Sequence, residues 1–364
     1  MTRGCLYTGQ GAGRMNAMAE PDTEWMLKAV ELSRKGVGTT SPNPPVGAVI
    51  VKDGRIIGEG WHEKAGEAHA ERRAIADAVA RGQGANLQGS TIYVTLEPCS
   101  SHGKTPPCTD AIIEHGITRV VYGMVDPDIR HRGKADAILQ AGSIRVQGGV
   151  CAEQCREVLR PWIFAMEQGR PWVLAKVACT LDAKMVRKTE RWISDPEALR
   201  HAHQLRVASD AILVGGETVR RDNPALTIRT PLTGPSERKE QPWRIVMTRR
   251  RDTLPANAKL FTDEHSARTI VLENVEDYPE MLQRLYKEHG IITLMLECGG
   301  TLLKEFLDRG LVNEWVQDIA PILSGGEAQA VPGDFLANEL HLEHTTFTRA
   351  GRDIIIRGIL PTSN

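Results

Sequence analysis

The sequence predicts an α/β protein of two domains, on three observations. Helix-period and strand-period segments alternate along both halves, the pattern of sheets covered by helices. At 364 residues the chain is longer than a single core usually supports. Around Gly169-Arg170-Pro171 one alternating series ends and another begins.

Residues 1–21 lack the apolar block of a signal peptide and are expected as a disordered extension, with Met15 and Met18 as alternative starts. Their "GQGAG" follows no strand, so it does not read as a dinucleotide loop. Residues 22–36 have helical apolar spacing and end at a Gly. "VGAVIV" and "RIIGEGW" flank Lys52-Asp53-Gly54, which predicts a hairpin turning at Asp53-Gly54. A helix over 68–81, a strand over 91–96, a helix over 107–115, the strand "RVVYGM" and a helix over 135–141 complete a first domain of 22–150. Residues 151–170 form a helical connector to a second domain, 171–364. That domain opens on the strand "WVLAKVACTL" and continues with a helix over 195–207 and the strands "AILVG", "RIVMT" and "ARTIVL". A helix over 277–289, the strand "ITLMLE", a helix over 301–309, "EWVQDIAP" and two closing strands follow, with 229–242 as a surface loop.

A net charge of -1 argues against a nucleic-acid surface, which carries a basic excess. No run of eighteen apolar residues is present to span a membrane. Seven cysteines without disulfide-like spacing fit a reducing compartment, so a cytoplasmic protein is expected. Cys151 and Cys155 stand one helical turn apart with no His nearby and read as structural.

The chemistry lies in "HAERRAI" and "PCSSHGKTPPC". One imidazole and two thiolates leave the fourth position of a tetrahedral zinc open to water, so His69, Cys99 and Cys108 are the expected metal ligands. Glu71, two residues from His69, is placed to carry a proton from that water to a leaving amine. The ordered set points to a zinc deaminase, although Cys99 and Cys108 are separated by eight residues rather than two.

"SPNPPVGAVIV", "GEGWHEKAGEAHAE", "YVTLEPC" and "HGKTPPC" resemble the deaminase domain of bifunctional riboflavin biosynthesis proteins, the RibD/RibG family. The likeness runs from about residue 22 to 360. It implies a cytidine-deaminase-like domain, a mixed sheet covered by helices, followed by a dihydrofolate-reductase-like α/β domain. It also accounts for the long spacing between the cysteines, which is that of a substrate-binding loop in the family. The implied substrate is a phosphoribosylaminopyrimidine, with Asn43, His62 and Lys104 in the deaminase pocket. An Asn amide suits a pyrimidine edge and a Lys suits a phosphate.

In the second half "RWIS", "ILVGGETVRRDNPALTIR" and "LECGGTLLKEFLDRGLVNEWVQDIAPILSGG" carry the resemblance, which implies an NADPH-dependent reductase. By position Trp192, Thr218, Asp222, Gly299, Gly300 and Thr301 line the NADPH site, and Lys176, Arg206, Arg229 and Glu297 hold the ribose-phosphate substrate. The family also implies a homo-oligomer joined through its reductase domains.

This chain departs from the family pattern in places. Ser101 removes an expected ring contact, and 126–134 reads "DPDIRHRGK". "TLDAKMVRKTERWIS" is shortened, with Ala183 for a Gly and Glu190 for a Ser. Two alternatives therefore stay open from the sequence: an active deaminase whose second half only binds or assembles, and a non-catalytic zinc-stabilised ligand binder.

Overall fold

The computed structural model describes residues 20–101, 106–129, 131–186, 193–229, 240–326, 331 and 336–361. The first sheet has the order β2-β1-β3-β4-β5, from β1 (Gly47–Lys52), β2 (Arg55–Trp61), β3 (Thr91–Leu96), β4 (Arg119–Met124) and β5 (Arg145–Gly148). The β1–β2 and β1–β3 pairs are antiparallel, and β3, β4 and β5 run parallel. The hairpin turns at Asp53-Gly54, both at positive φ, with Lys52 paired to Arg55, as that dipeptide predicts. Strand β5 was not expected from the sequence: it is a short edge strand with mostly exposed side chains and so lacks a hydrophobic alternation.

Helix α1 (Glu20–Arg34) opens two residues inside the expected extension, most of which lies outside the described residues. Its Asp22 accepts two hydrogen bonds from Arg119 on β4, at 2.8 and 2.6 Å, and one from the Tyr93 hydroxyl at 2.7 Å. The Arg119 hydrogen bonds hold the Asp22 carboxyl below the usual carboxylate range. A carboxyl so lowered stabilises the fold above its unfolded pKa of about 3.9, and that stability is lost as pH falls through the folded value. Asp22→Asn is therefore expected to cost about 1–2 kcal/mol at pH 7, a gap to wild type that closes under acid conditions; denaturant unfolding of both proteins across pH checks it.

Helices α2 (Ala70–Ala80), α3 (Cys108–Glu114) and α4 (Lys134–Ala141) cover the sheet with α1. Strand β2 accepts α2 closely because Gly58 and Gly60 face it: a Cβ on either would fall 2.2 Å from the Ala74 carbonyl oxygen or 2.4 Å from the Ala74 nitrogen. The expected connector is α5 (Ala152–Gln168), which buries Cys155, Leu159, Trp162, Ile163 and Ala165 in the first core.

The second sheet has the order β12-β13-β11-β6-β10-β7-β8-β9. Its strands are β6 (Trp172–Thr180), β7 (Ala211–Gly215), β8 (Trp243–Thr248), β9 (Thr269–Glu273), β10 (Thr293–Leu296), β11 (Glu314–Ala320), β12 (Glu343–Ala350) and β13 (Asp353–Ile359). The strands from β11 through β9 are parallel, and β13 and β12 add antiparallel pairs at one edge. Period-two alternation along β6 divides its faces. Val173, Ala175 and Val177 join the core under α9 (Tyr278–His289) and α10 (Gly300–Asp308), while Leu174 packs with Ala198 and Leu205 of α6 (Pro196–Ala208). Two short helices, α7 (Gly216–Asp222) and α8 (Lys259–Thr262), were not expected, since neither is long enough to show a helical period.

Ala183 has φ +61, the left-handed region that favours glycine. This conformation costs a non-glycine residue about 1–2 kcal/mol, against about 0.5–1 kcal/mol of extra chain entropy for Gly. Ala183→Gly is expected to raise stability by up to about 1 kcal/mol, and a lower unfolding midpoint for the variant would reject the strain account. Glu190 lies outside the described residues.

Candidate active sites

The loop after β3 and the starts of α2 and α3 converge on one point. His69 is the residue capping α2, Glu71 sits in that helix's first turn, Cys99 follows β3 and Cys108 opens α3. The His69 Nδ1 lies 3.5 Å from both Cys99 Sγ and Cys108 Sγ, and the three ligand atoms lie within 4.8 Å of one another. Tetrahedral zinc with bonds of about 2.3 Å to sulfur and about 2.0 Å to nitrogen places such atoms about 3.5 Å apart, so this donor set fits the metal.

Cys99 is the readier thiolate. Hydrogen bonding from the Cys108 thiol, then from the His69 ring and the Cys108 backbone N–H at 3.3 Å, brings it down to about 4. The same pairing together with burial pushes Cys108 up. Glu71 is 3% exposed, and burial followed by the charge of Cys99 raises its carboxyl above the usual range.

His69, Glu71 and Cys99 line a cavity of 230 Å³ with Asn43, His62, Glu97, Asp128, His131 and Trp162. His62 has Nδ1 3.2 Å from the Ala68 carbonyl oxygen and Nε2 3.1 Å from Asn43 Nδ2. A carbonyl only accepts, so Nδ1 carries the proton and Nε2 accepts from the Asn43 amide. Burial lowers the His62 pKa and keeps this neutral form, which fixes how Asn43 is oriented. Lys104 lies outside the described residues.

Two residues that the sequence did not single out shape the wall. The Glu97 carboxylate, 3% exposed, accepts backbone hydrogen bonds from Asp126, Gly133 and Ala135, and so ties both ends of the altered 126–134 stretch beside the cavity. His131, from that stretch, stands with Nδ1 3.2 Å from Ser101 Oγ. The two departures from the family pattern, Ser101 and the 126–134 stretch, thus meet in one hydrogen-bonding contact. The motif "LEPC" contains Glu97, but only its spatial partners reveal the role.

In the second domain the charged candidates gather beside the middle of β6 and the carboxyl end of β10, under α6. Arg206 donates to Glu297 from Nε at 2.5 Å and Nη2 at 2.6 Å, and to the Thr227 carbonyl oxygen at 3.1 Å. Both side chains are largely buried, and the Arg206 charge holds the Glu297 carboxyl low against its burial. Arg229 Nη2 lies 2.8 Å from His203 Nε2, and burial with the Arg206 and Arg229 charges lowers His203 to about 4, so the ring stays neutral and accepts. Lys176 pairs with Asp318 at 2.9 Å.

The expected NADPH residues fall on the next turns. β7 and β10 are parallel neighbours, and each feeds a helix that opens on glycine, α7 at Gly216 and α10 at Gly300 with Gly299 as its cap. A Cβ would fall 2.7 Å from Thr248 Oγ1 at Gly216 and 2.3 Å from Met185 Cε at Gly299, so both turns are packed closely by neighbouring side chains. Helix starts at the carboxyl edge of parallel strands are the kind of position that receives the phosphates of a dinucleotide. Thr218 and Asp222 lie on α7 and Thr301 in the first turn of α10, while Trp192 lies outside the described residues.

Two family models match: the cytidine and deoxycytidylate deaminase zinc-binding region over residues 19–124 and the RibD C-terminal domain over 171–356. The chain is 38% identical to the riboflavin biosynthesis protein RibD of Aquifex aeolicus, covering 84% of this chain and 88% of the relative. With RibD of Escherichia coli the identity is 35%, covering 92% and 98%. The solved structure of Acinetobacter baumannii RibD superposes with a TM-score of 0.85 at 33% identity, covering 94% of this chain and 99% of that one. A Thermotoga maritima structure described as a diaminohydroxyphosphoribosylaminopyrimidine deaminase/5-amino-6-(5-phosphoribosylamino)uracil reductase gives a TM-score of 0.82 at 34% identity, covering 94% and 99%. The chain therefore belongs to the RibD family, as a riboflavin-biosynthesis enzyme with a zinc-dependent deaminase domain followed by an NADPH-dependent reductase domain.

Proposed function

We propose that the first domain deaminates 2,5-diamino-6-(5-phosphoribosylamino)pyrimidin-4(3H)-one and that the second reduces the ribosyl group of the resulting uracil to ribityl. The observation that carries this reading is the buried Glu71 beside the His69, Cys99 and Cys108 cluster, in a cavity whose wall holds an oriented Asn43. Zinc, when bound, supplies a water acidified toward neutrality. Glu71, its affinity for a proton raised by burial, accepts a proton and passes it to the leaving amine. Asn43 offers its amide to the pyrimidine edge, and Lys104 offers a cation to the phosphate. NADPH, when bound, supplies the hydride. Thr218, Asp222, Gly299, Gly300 and Thr301, with Trp192, receive that cofactor. Lys176, Arg206, Arg229 and Glu297 hold the ribosyl phosphate substrate beside it: Lys176 and Arg229 offer cationic N–H groups to the phosphate, and Arg206 and Glu297 form a buried pair behind them.

The reading includes a cytoplasmic homo-oligomer joined through the second domain. Among the described residues no helix is long and apolar enough to cross a membrane. At the sheet edge β12 is almost wholly exposed, and Phe347 and the neighbouring Ile354 are 69% and 51% exposed, a surface suited to cover by a second copy.

The test is to supply the zinc-loaded protein with the diaminopyrimidine substrate and follow ammonia release and then NADPH oxidation. Both in succession are expected. Ammonia without NADPH oxidation would confine catalysis to the first domain.

A further inference from the structure

The parallel strands β6 and β11 pair with Lys176 opposite Val316, so Asp318, two residues along, emerges on the same face as Lys176. The Lys176 Nζ lies 2.9 Å from Asp318 Oδ2, with the side chains 11% and 0% exposed. On α6, which covers this face, His201 Nδ1 lies 3.9 Å from Asp318 Oδ1. Burial lowers the His201 pKa against the pull of Asp318, leaving the ring neutral. Among the described residues no hydrogen bond satisfies either Asp318 oxygen, so the ion pair with Lys176 is what compensates a fully buried carboxylate. The Lys176 charge also acts on Glu297 and His203.

A lysine has a flexible four-carbon stem and no fork to orient it. Here one buried carboxylate fixes its ammonium at the rim of a site that otherwise consists of the Arg206–Glu297 and Arg229–His203 pairs. We propose that Asp318 is a positioning residue of the reductase half, acting through Lys176 to hold its ammonium against the ribosyl phosphate substrate. This rests on the proposed reduction of that substrate. Removing the Asp318 charge leaves the wall more cationic, so the phosphate still binds; what is lost is the placement of Lys176, and placement errors fall on turnover.

The experiment uses the full-length, zinc-loaded chain, which contains its own control. With Asp318→Asn, kcat for NADPH oxidation on the deaminated product is expected to fall about 10- to 100-fold, while KM stays within about threefold and ammonia release is unchanged. In a Lys176→Met background the same substitution is expected to cause no further loss, because residues acting as a unit are not additive. A kcat within about twofold of wild type, or a further tenfold loss in the Lys176→Met background, would overturn the inference. If Asp318→Asn abolishes ammonia release as well, the chain has misfolded, and Lys176→Met/Asp318→Leu, which removes both charges together, takes its place. Reduction no lower than in Lys176→Met supports the inference, and a tenfold lower rate overturns it. Wild-type protein that oxidises no NADPH rejects the functional reading itself, an outcome distinct from an unaffected Asp318→Asn.

Discussion

Glu71→Gln is expected to slow ammonia release by about 10²–10⁴-fold while zinc content stays at the wild-type level. The carboxyl is 3% exposed, and its raised pKa comes first from burial and then from Cys99. Gln keeps the size of the side chain and loses only its capacity to take up and release a proton. A structural role would show itself as lost zinc or a lowered unfolding temperature, both absent for an isosteric change. NADPH oxidation on the deaminated product, at residues of the second domain, is expected to continue. The measurements are ammonia release, metal content and unfolding temperature on one preparation. Ammonia release within about tenfold of wild type would mean that Glu71 does not carry the proton.

Glu297→Ala is expected to have the second largest effect, on reduction and stability together. Arg206 is held by two hydrogen bonds to Glu297 and one to the Thr227 carbonyl oxygen. Removing the carboxylate strands a largely buried guanidinium, at a cost of about 3 kcal/mol. NADPH oxidation should be lost while ammonia release persists. The double variant Arg206→Met/Glu297→Leu separates the two contributions, because replacing both charges by apolar groups is close to neutral for the fold. It should regain most of the stability and none of the reduction. Recovery of reduction would show that the pair serves the fold and not the substrate.

Much of the first site was legible in the sequence. His69 and Glu71 are two residues apart at the start of a helix, and Cys99 ends a strand segment, so local pattern alone places them where a metal could be shared. The hairpin at Asp53-Gly54 was equally local. Less of the second site could be read. Arg206 and Glu297 were singled out through a family resemblance, but neither the spacing of α6 nor that of β10 shows that the two side chains form a bidentate pair. Glu97, His131 and Asp318 were missed because each gains its meaning from a partner on another element: the backbone N–H groups of Asp126, Gly133 and Ala135, the Ser101 hydroxyl, and the Lys176 ammonium.

The sequence by itself determined the two-domain α/β layout and the zinc donor set, because periodicity and ligand chemistry are properties of short segments. Only the tertiary structure decided which buried charge stands against which. Parallel strand register set Asp318 beside Lys176, and α6 brought His201 over them. Register is settled by packing across the whole sheet, and a buried ion pair depends on distances of a few ångströms that no local pattern encodes.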